Sequence, residues 1–303
     1  MPAKVWLITG ASSGIGLSLA QYVLLQGDHV VATVRSLSKL PDTLRDAGAK
    51  ALVLDLNACD ADIRRAGEEA LKVYGHIDVL VNNAAYGVVA PVEELKQVYH
   101  AVLDDMRAQF QTNVFGAIAL VQALLPSFRA RRSGQIFNVS SVCGLSGFSS
   151  WGAYCASKAA LELFSDALSQ EVAPFGIRVL IIEPGYFSTN FFQTAPLFSH
   201  DSDSKVYTDP SQGYRTLEEV PKQHVRDGQI GDVVKLSARI YEVVHGVGMA
   251  QGLREWLRVP LGTDSGERLR WKINTIQENV DAFEQIWRST DVEPDRLKFY
   301  PRG

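Results

Sequence analysis

Six short apolar runs divide the first 185 residues: Val5–Thr9, His29–Val34, Ala51–Leu54, Val79–Asn82, Gln135–Val139 and Val179–Glu183. They lack the apolar–polar alternation of a half-exposed sheet, as expected of strands covered on both faces. Longer helical patterns separate them, at Leu17–Gln26, Ile63–Tyr74, Val114–Arg131 and Tyr154–Phe175. Strands joined through helices pair in parallel, because a crossover is needed to bring the chain back to the same end of a sheet. The expected fold class is therefore α/β: a Rossmann-like, doubly wound parallel sheet in three layers with right-handed crossovers.

Residues 195–230 change character. His200, Asp201, Ser202, Asp203, Ser204 and Lys205 are polar, and Pro196, Pro210, Gly213 and Pro221 interrupt any long pattern, so a mobile lid or surface loop is expected. Helical patterning returns at Gly231–His245 and near Asp264–Arg288. In the last of these, Leu269, Ile273, Ile276, Val280, Phe283 and Trp287 step by 4, 3, 4, 3, 4 and line one face. The expectation is a helix packed on its own domain, with a subunit interface as the alternative. We divide the chain into a core at 1–193 and, within the same domain, a loop and C-terminal helices at 194–303.

Composition narrows the function classes. A net charge of −4 leaves no global basic field for nucleic acid or an anionic membrane. Arg129, Arg131 and Arg132 read as a solvated helix end. The odd number of cysteines (Cys59, Cys143, Cys155) favours reduced thiols in a cytosol-like compartment. Histidines 29, 76, 100, 200, 224 and 245 show no metal-ligand spacing, so no metal is expected. Met1 is followed almost at once by a strand, which predicts no secretory leader. The richest apolar stretch, Ala117–Leu125, carries Gln122 and falls short of the ~18–20 residues of a membrane span. A cytoplasmic protein is the expectation.

The first strand runs into Gly10-Ala11-Ser12-Ser13-Gly14-Ile15-Gly16 and then a helix. Glycines there permit a tight turn and let backbone N–H groups approach a pyrophosphate at a helix N-terminus. A ribose-binding acid should lie about 20 residues past the loop, at the end of the second strand. That place holds Val34, Arg35 and Ser36. Arg35 suits a 2′-phosphate, which favours NADP(H) over NAD(H); an unliganded surface arginine is the alternative. Further on, Tyr154 and Lys158 stand at i, i+4 on one helical face. Carbonyl reduction needs a proton at oxygen, and an ammonium group beside a phenol, together with the charge of an oxidised nicotinamide, should lower its pKa from about 10 by ~2–3 units.

Together these residues resemble the short-chain dehydrogenase/reductase family, in its single-domain branch. The stations that match, in order, are Thr9–Gly16, Asn82-Asn83-Ala84-Ala85, Asn113 in Thr112-Asn113-Val114-Phe115-Gly116, Ser141 thirteen residues before Tyr154 with Lys158, and Pro184-Gly185 followed by Thr189. The resemblance implies that Tyr154 exchanges the proton, Lys158 tunes it and holds the nicotinamide ribose, and Ser141 orients the carbonyl. It implies that the main chain of Asn113 positions a water linked to Lys158. For the cofactor it implies Asp55 at the adenine, Asn82 and Ala84 beside its ribose, and Pro184, Gly185, Phe187 and Thr189 near the nicotinamide. Plainer readings are a turn cap for Ser141, a helix cap for Asn113 and a strand-end carboxylate for Asp55. Ala85 departs from the family's usual Asn-Asn-Ala-Gly, for which slight tuning is expected. Family members commonly form dimers or tetramers, so a homo-oligomer is expected.

Seven aromatic residues (Tyr86, Phe148, Trp151, Tyr186, Phe187, Phe191, Phe192) fall where the family places its substrate cleft, which points to an apolar or aromatic small-molecule substrate of lipid, steroid, retinoid or polyketide type. The expected activity is reduction of a ketone or aldehyde, or oxidation of a secondary alcohol. The alternatives are a catalytically silent NADP(H)-binding sensor and a non-redox reaction on the same fold.

Overall fold

The computed structural model describes residues 2–92, 101–191, 219–228, 230–253 and 255–292. Seven strands form one parallel sheet in the order β3-β2-β1-β4-β5-β6-β7: β1 (Val5–Ile8), β2 (His29–Val34), β3 (Lys50–Val53), β4 (Val79–Asn82), β5 (Gly134–Val139), β6 (Ile177–Pro184) and β7 (Arg258–Leu261). The order reverses between β1 and β4, opening a crevice at the C-terminal strand ends where doubly wound sheets bind ligands. The helices are α1 (Gly14–Leu25), α2 (Asp42–Asp46), α3 (Asp60–Tyr74), α4 (Ala101–Phe110), α5 (Gly116–Arg131), α6 (Gly152–Val172), α7 (Glu219–Arg226), α8 (Val233–His245), α9 (Thr263–Ala282) and α10 (Glu284–Arg288).

The six expected strands are present, and β4 is buried at all four positions. Each sheet face carries its own core. One gathers Trp6, Ile8, Leu19, Val30, Phe137 and Ile182 under α1 and α8; the other gathers Leu7, Ile63, Leu80, Leu120, Phe128 and Ile136 under α3 and α5. Burial of apolar surface on both faces at about 25 cal/mol per Å² is the main force holding the layers. Helix α8 sits on α1 through a hydrogen bond between the Ser18 and Ser237 hydroxyls at 2.9 Å and edge-on packing of Tyr22 against Tyr241. Its N-terminus is capped by Asp232, which accepts from the backbone N–H groups of Val234 and Lys235.

Strand β7 was not expected. Its Pro260 donates no ladder hydrogen bond, and the sheet accommodates it because β7 is an edge strand. The continuous helical run Met106–Arg131 departs from the expectation of no apolar stretch long enough for a membrane: its mean hydropathy reaches 1.3, although half of that stretch is buried within the fold. A greater departure concerns the C-terminal stripe, expected to pack on its own domain. Leu269 is buried, but Ile273, Ile276, Val280, Phe283 and Trp287 are 58, 45, 45, 54 and 43% exposed. Beyond Leu269, α10 returns onto the end of α9, where the Trp287 indole N–H donates to the Val280 carbonyl at 3.0 Å. Most of the expected lid, along with Phe192, lies outside the described residues.

Candidate active site

The glycine loop leaves β1 at the reversal of strand order. Gly10 and Gly14 take φ of 66° and 57°, which side chains other than glycine's rarely tolerate. A Cβ at Gly16 would lie 2.5 Å from the Asn83 side-chain nitrogen and the Gly10 carbonyl. Ser13 caps α1 only by its backbone and no acid occupies the first turn, so the N–H groups and positive dipole end face outward, beside exposed Ser12 and Ser13. Across the crevice a Cβ on Gly14 would sit 3.5 Å from that of Thr189. These residues fit a dinucleotide pyrophosphate: backbone donors, no competing carboxylate and no side chain in the way.

The loop is braced from beneath by two residues with no assigned role in the sequence reading. The Thr9 hydroxyl accepts from the N–H groups of Asn83 and Ala84, each at 2.9 Å, and Asn83 Nδ2 donates to the Thr9 carbonyl at 2.8 Å. The Asn82 side chain points into the sheet and donates to Asn138 Oδ1 at 2.8 Å, so only its backbone is left for a ribose. Arg35 and Asp55 are exposed side by side at the ends of β2 and β3, where Leu54 N–H donates to the Val34 carbonyl. Asp55 Oδ1 accepts from the Asn57 N–H, which matches the plainer reading of a turn carboxylate while leaving its other oxygen open. Pro184 ends β6, and the Gly185 N–H donates to Leu261. The Phe187 ring belongs to the core with Leu236 and Ile240, so its backbone alone faces the crevice.

Helix α6 carries Tyr154 and Lys158 to the same edge, and both are buried. Lys158 Nζ donates to the Val139 carbonyl at 2.7 Å and lies 5.6 Å from the centre of the Tyr154 ring. Ser141 begins a short turn and accepts from the Cys143 N–H at 3.2 Å, the plainer role expected of it, and its hydroxyl also favours ionisation of the Tyr154 phenol. Asn113 sits in a π-helical turn, Gln111–Phe115, between α4 and α5. Such turns interrupt the regular ladder and recur at functional sites. Its side chain donates to the Tyr86 carbonyl at 2.9 Å and the Ser157 hydroxyl at 3.0 Å, and accepts from the Tyr86 N–H, tying the Tyr86 loop to α6.

The protein's own groups act on Tyr154 in the sense opposite to the lowering expected with a nicotinamide in place. The phenol of Tyr154 is not lowered in the cofactor-free protein: burial pushes it well above the usual tyrosine range, and the Ser141 hydrogen bond only partly opposes that. Trp151 and Phe191 pack around it, with ring centres 5.6 and 5.5 Å away, and desolvation outweighs the nearby ammonium. Burial also brings Lys158 down to about 8, opposed by the Cys143 thiol and the Glu162 carboxylate.

Behind Lys158 lies a cluster of charges with no motif to announce it. Glu162 Oε1 accepts from the Ser140 hydroxyl at 2.6 Å, and Oε2 accepts from Arg258 at 2.7 Å. The same guanidinium donates to Glu183. Burial lifts Glu183 to about 7, helped by Glu162 and opposed by Arg258. A carboxylate four residues after the lysine on the same helix face was the available signal.

Three comparisons agree with this architecture. A solved short-chain dehydrogenase from Streptomyces avermitilis is 36% identical, with a TM-score of 0.80 over 95% of this chain and 98% of that one. The 3-ketodihydrosphingosine reductase of Bacteroides thetaiotaomicron is 36% identical across 69% of this chain and 73% of its own length. A metagenomic short-chain oxidoreductase solved in complex with NADP is 30% identical, with a TM-score of 0.54 over 60% of this chain and 81% of that one. The family model for short chain dehydrogenases matches residues 4–197, spanning the glycine loop, Ser141, Tyr154 and Lys158. The chain belongs to the short chain dehydrogenase family.

Proposed function

We propose that the protein is an NADP(H)-dependent reductase of ketones or aldehydes, reversible as a secondary-alcohol dehydrogenase, acting on an apolar or aromatic substrate. The observation that carries this reading is the grouping of half-buried Ser141 with buried Tyr154 and Lys158, the serine acting on the phenol and the lysine anchored on Val139. When bound, the reduced nicotinamide supplies a hydride to the carbonyl carbon. The Ser141 hydroxyl holds the carbonyl oxygen and bears part of the charge that develops there. Tyr154 gives the proton to that oxygen; burial keeps its phenol protonated at neutral pH, the state that reduction requires. Lys158, with its pKa at about 8, is largely an ammonium at pH 7 and stabilises the phenolate left behind.

Arg35, exposed at the end of β2, where the second strand carries no acid of its own, supports preference for the 2′-phosphate. Trp151, Phe191 and Val89 around the phenol support an apolar substrate, as does similarity to a reductase of 3-ketodihydrosphingosine. The test is cofactor consumption across a ketone panel with NADPH and NADH in parallel. Tyr154→Phe should lower kcat/KM by about 10²–10⁴ while leaving NADPH binding intact. Full turnover by that variant, equal use of NADH, or preference for small polyols would each remove the corresponding part of the reading.

A further inference from the structure

Two of the three cysteines stand beside the residues assigned to proton transfer. Cys143 lies two positions after Ser141, in the short turn Val142–Gly144, which packs on α6. Cys155 follows Tyr154 directly, in the first turn of α6. Both belong to the small apolar cluster that Val89, Trp151, Tyr154 and Phe191 form around the phenol. Each thiol is the strongest influence on the other. Cys143 brings Cys155 down, against the effect of burial, while Cys155 and burial together push Cys143 well up. The negative charge of the pair therefore rests on Cys155, and Cys143 keeps its hydrogen. Two features of the fold favour that charge: the positive end of α6, and the Lys158 ammonium, which acts on the pair through Cys143. Cys59 has no such setting: it is exposed, and its thiol donates to the Asp62 carboxylate at 3.3 Å.

We propose that Cys143 and Cys155 form an oxidisable pair: a hydroperoxide reacts at Cys155, and Cys143 closes a disulfide that stops turnover until a thiol reopens it. The Cys155 thiolate attacks the peroxide O–O bond, takes one oxygen as a sulfenic acid and releases hydroxide or alkoxide. The Cys143 sulfur then displaces that oxygen, which leaves as water with the Cys143 proton, and the two sulfurs are joined. The two thiols give up two electrons, and the peroxide bond receives them. Cys143 is half-buried, so hydrogen peroxide, scarcely larger than water, has a way in. A disulfide is shorter than any contact between separate thiols, so closing it pulls the Ser141 turn against the start of α6. Ser141 and Tyr154 then leave the geometry that reduction needs. The loss of turnover rests on the proposed reductase activity; the disulfide does not.

Hydrogen peroxide applied to the full chain carrying Cys59→Ser tests the inference. Trypsin releases Ser133–Lys158, which holds both cysteines. After oxidation this peptide should take up no iodoacetamide until dithiothreitol is added, and chymotrypsin, cutting between the two cysteines, should leave the pieces joined. NADPH-dependent turnover should fall by about tenfold or more and return with dithiothreitol. With Cys155→Ser added, Cys143 should stay open to iodoacetamide, and activity should match that of the same variant untreated. With Cys143→Ser added, oxidation should stop at a Cys155 sulfenic acid that dimedone traps. Each variant is compared with its own untreated sample, and the peptide map of the parent chain depends on neither variant folding. Thiols that both stay open to iodoacetamide in the treated parent chain overturn the inference. So does a Cys155→Ser variant that still loses activity to peroxide, or a disulfide that leaves turnover unchanged. A reduced chain without reductase activity counts against the proposed function instead, and the peptide map still decides the disulfide.

Discussion

Two regions of this molecule invert the usual arrangement of polar and apolar residues, in opposite senses. Behind the site, Lys158, Glu162 and Glu183 are buried, held by Arg258 and the backbone. Along α9 and α10, two tryptophans (Trp271 and Trp287), a phenylalanine and several isoleucines are largely exposed. Either arrangement costs free energy unless compensated. A buried charge loses hydration worth several kcal/mol, and an exposed apolar stripe forgoes about 25 cal/mol for each Å² left in water. The buried set finds its compensation inside the chain, where each carboxylate meets Arg258 and Lys158 meets the Val139 carbonyl. The exposed stripe finds only partial compensation among the described residues, where the Trp287 indole N–H donates to the Val280 carbonyl at 3.0 Å.

The buried cluster also connects parts of the chain that are distant in sequence. Arg258, on edge strand β7, grips Glu162 on the helix that carries Tyr154 and Lys158, while Glu162 holds Ser140, the neighbour of Ser141. The last strand of the sheet thereby steadies both sides of the proton-transfer group. Glu162 has a second effect, since its charge favours the ammonium form of Lys158.

Breaking each region separately should expose the contrast. The largest effect on stability is expected from Arg258→Met, which strands two carboxylates in the interior. Loss of one partner from a buried pair costs about 3–5 kcal/mol, and about 2–4 kcal/mol is expected here because 35% of the Arg258 side chain remains exposed. Urea unfolding would measure it, and a loss below 0.5 kcal/mol would show that the cluster is not holding β7 to α6. Next comes Glu162→Gln, which keeps the side chain's shape but removes its charge. Reduction needs the Lys158 ammonium, so wild-type activity should fall as pH rises through about 8. Without the carboxylate that limb should move to lower pH by about one unit, since an anion beside a cation raises the cation's pKa. A pH profile of kcat/KM that merely drops in height, with its alkaline limb unmoved, would reduce Glu162 to a packing role. The smallest effect belongs to Ile276→Ser, on the exposed stripe of α9. A substitution on an exposed surface should change stability by no more than about 0.5 kcal/mol. A loss of about 2 kcal/mol would mean that Ile276 is covered within its own chain.

Much of the fold follows from local pattern. Each of β1 to β6 is a short apolar run bounded by turn residues, and burial of both faces left no polar alternation to obscure it. β7 escaped because it is four residues long, contains Pro260 and owes its place to pairing with β6, a contact between residues 77 positions apart. In the site, Ser141, Tyr154, Lys158 and the glycines were legible because backbone geometry and proton chemistry restrict which residues fit. Thr9 and Asn83 lay inside a quoted motif, but their work as braces depends on β1 and β4 being neighbours, which spacing does not reveal.

The order of residues alone determined the strand–helix alternation, the glycine turn, the shared face of Tyr154 and Lys158, and the heptad step of the last helix, because each depends on dihedral preferences or periodicity over a few residues. Tertiary structure decided the rest. Packing against Trp151 and Phe191 raises the Tyr154 phenol that a neighbouring ammonium alone would lower, and pairing with Arg258 lets Glu162 and Glu183 stay inside. The stripe on α9 is apolar by sequence, and only the path of that helix away from the sheet leaves it facing water.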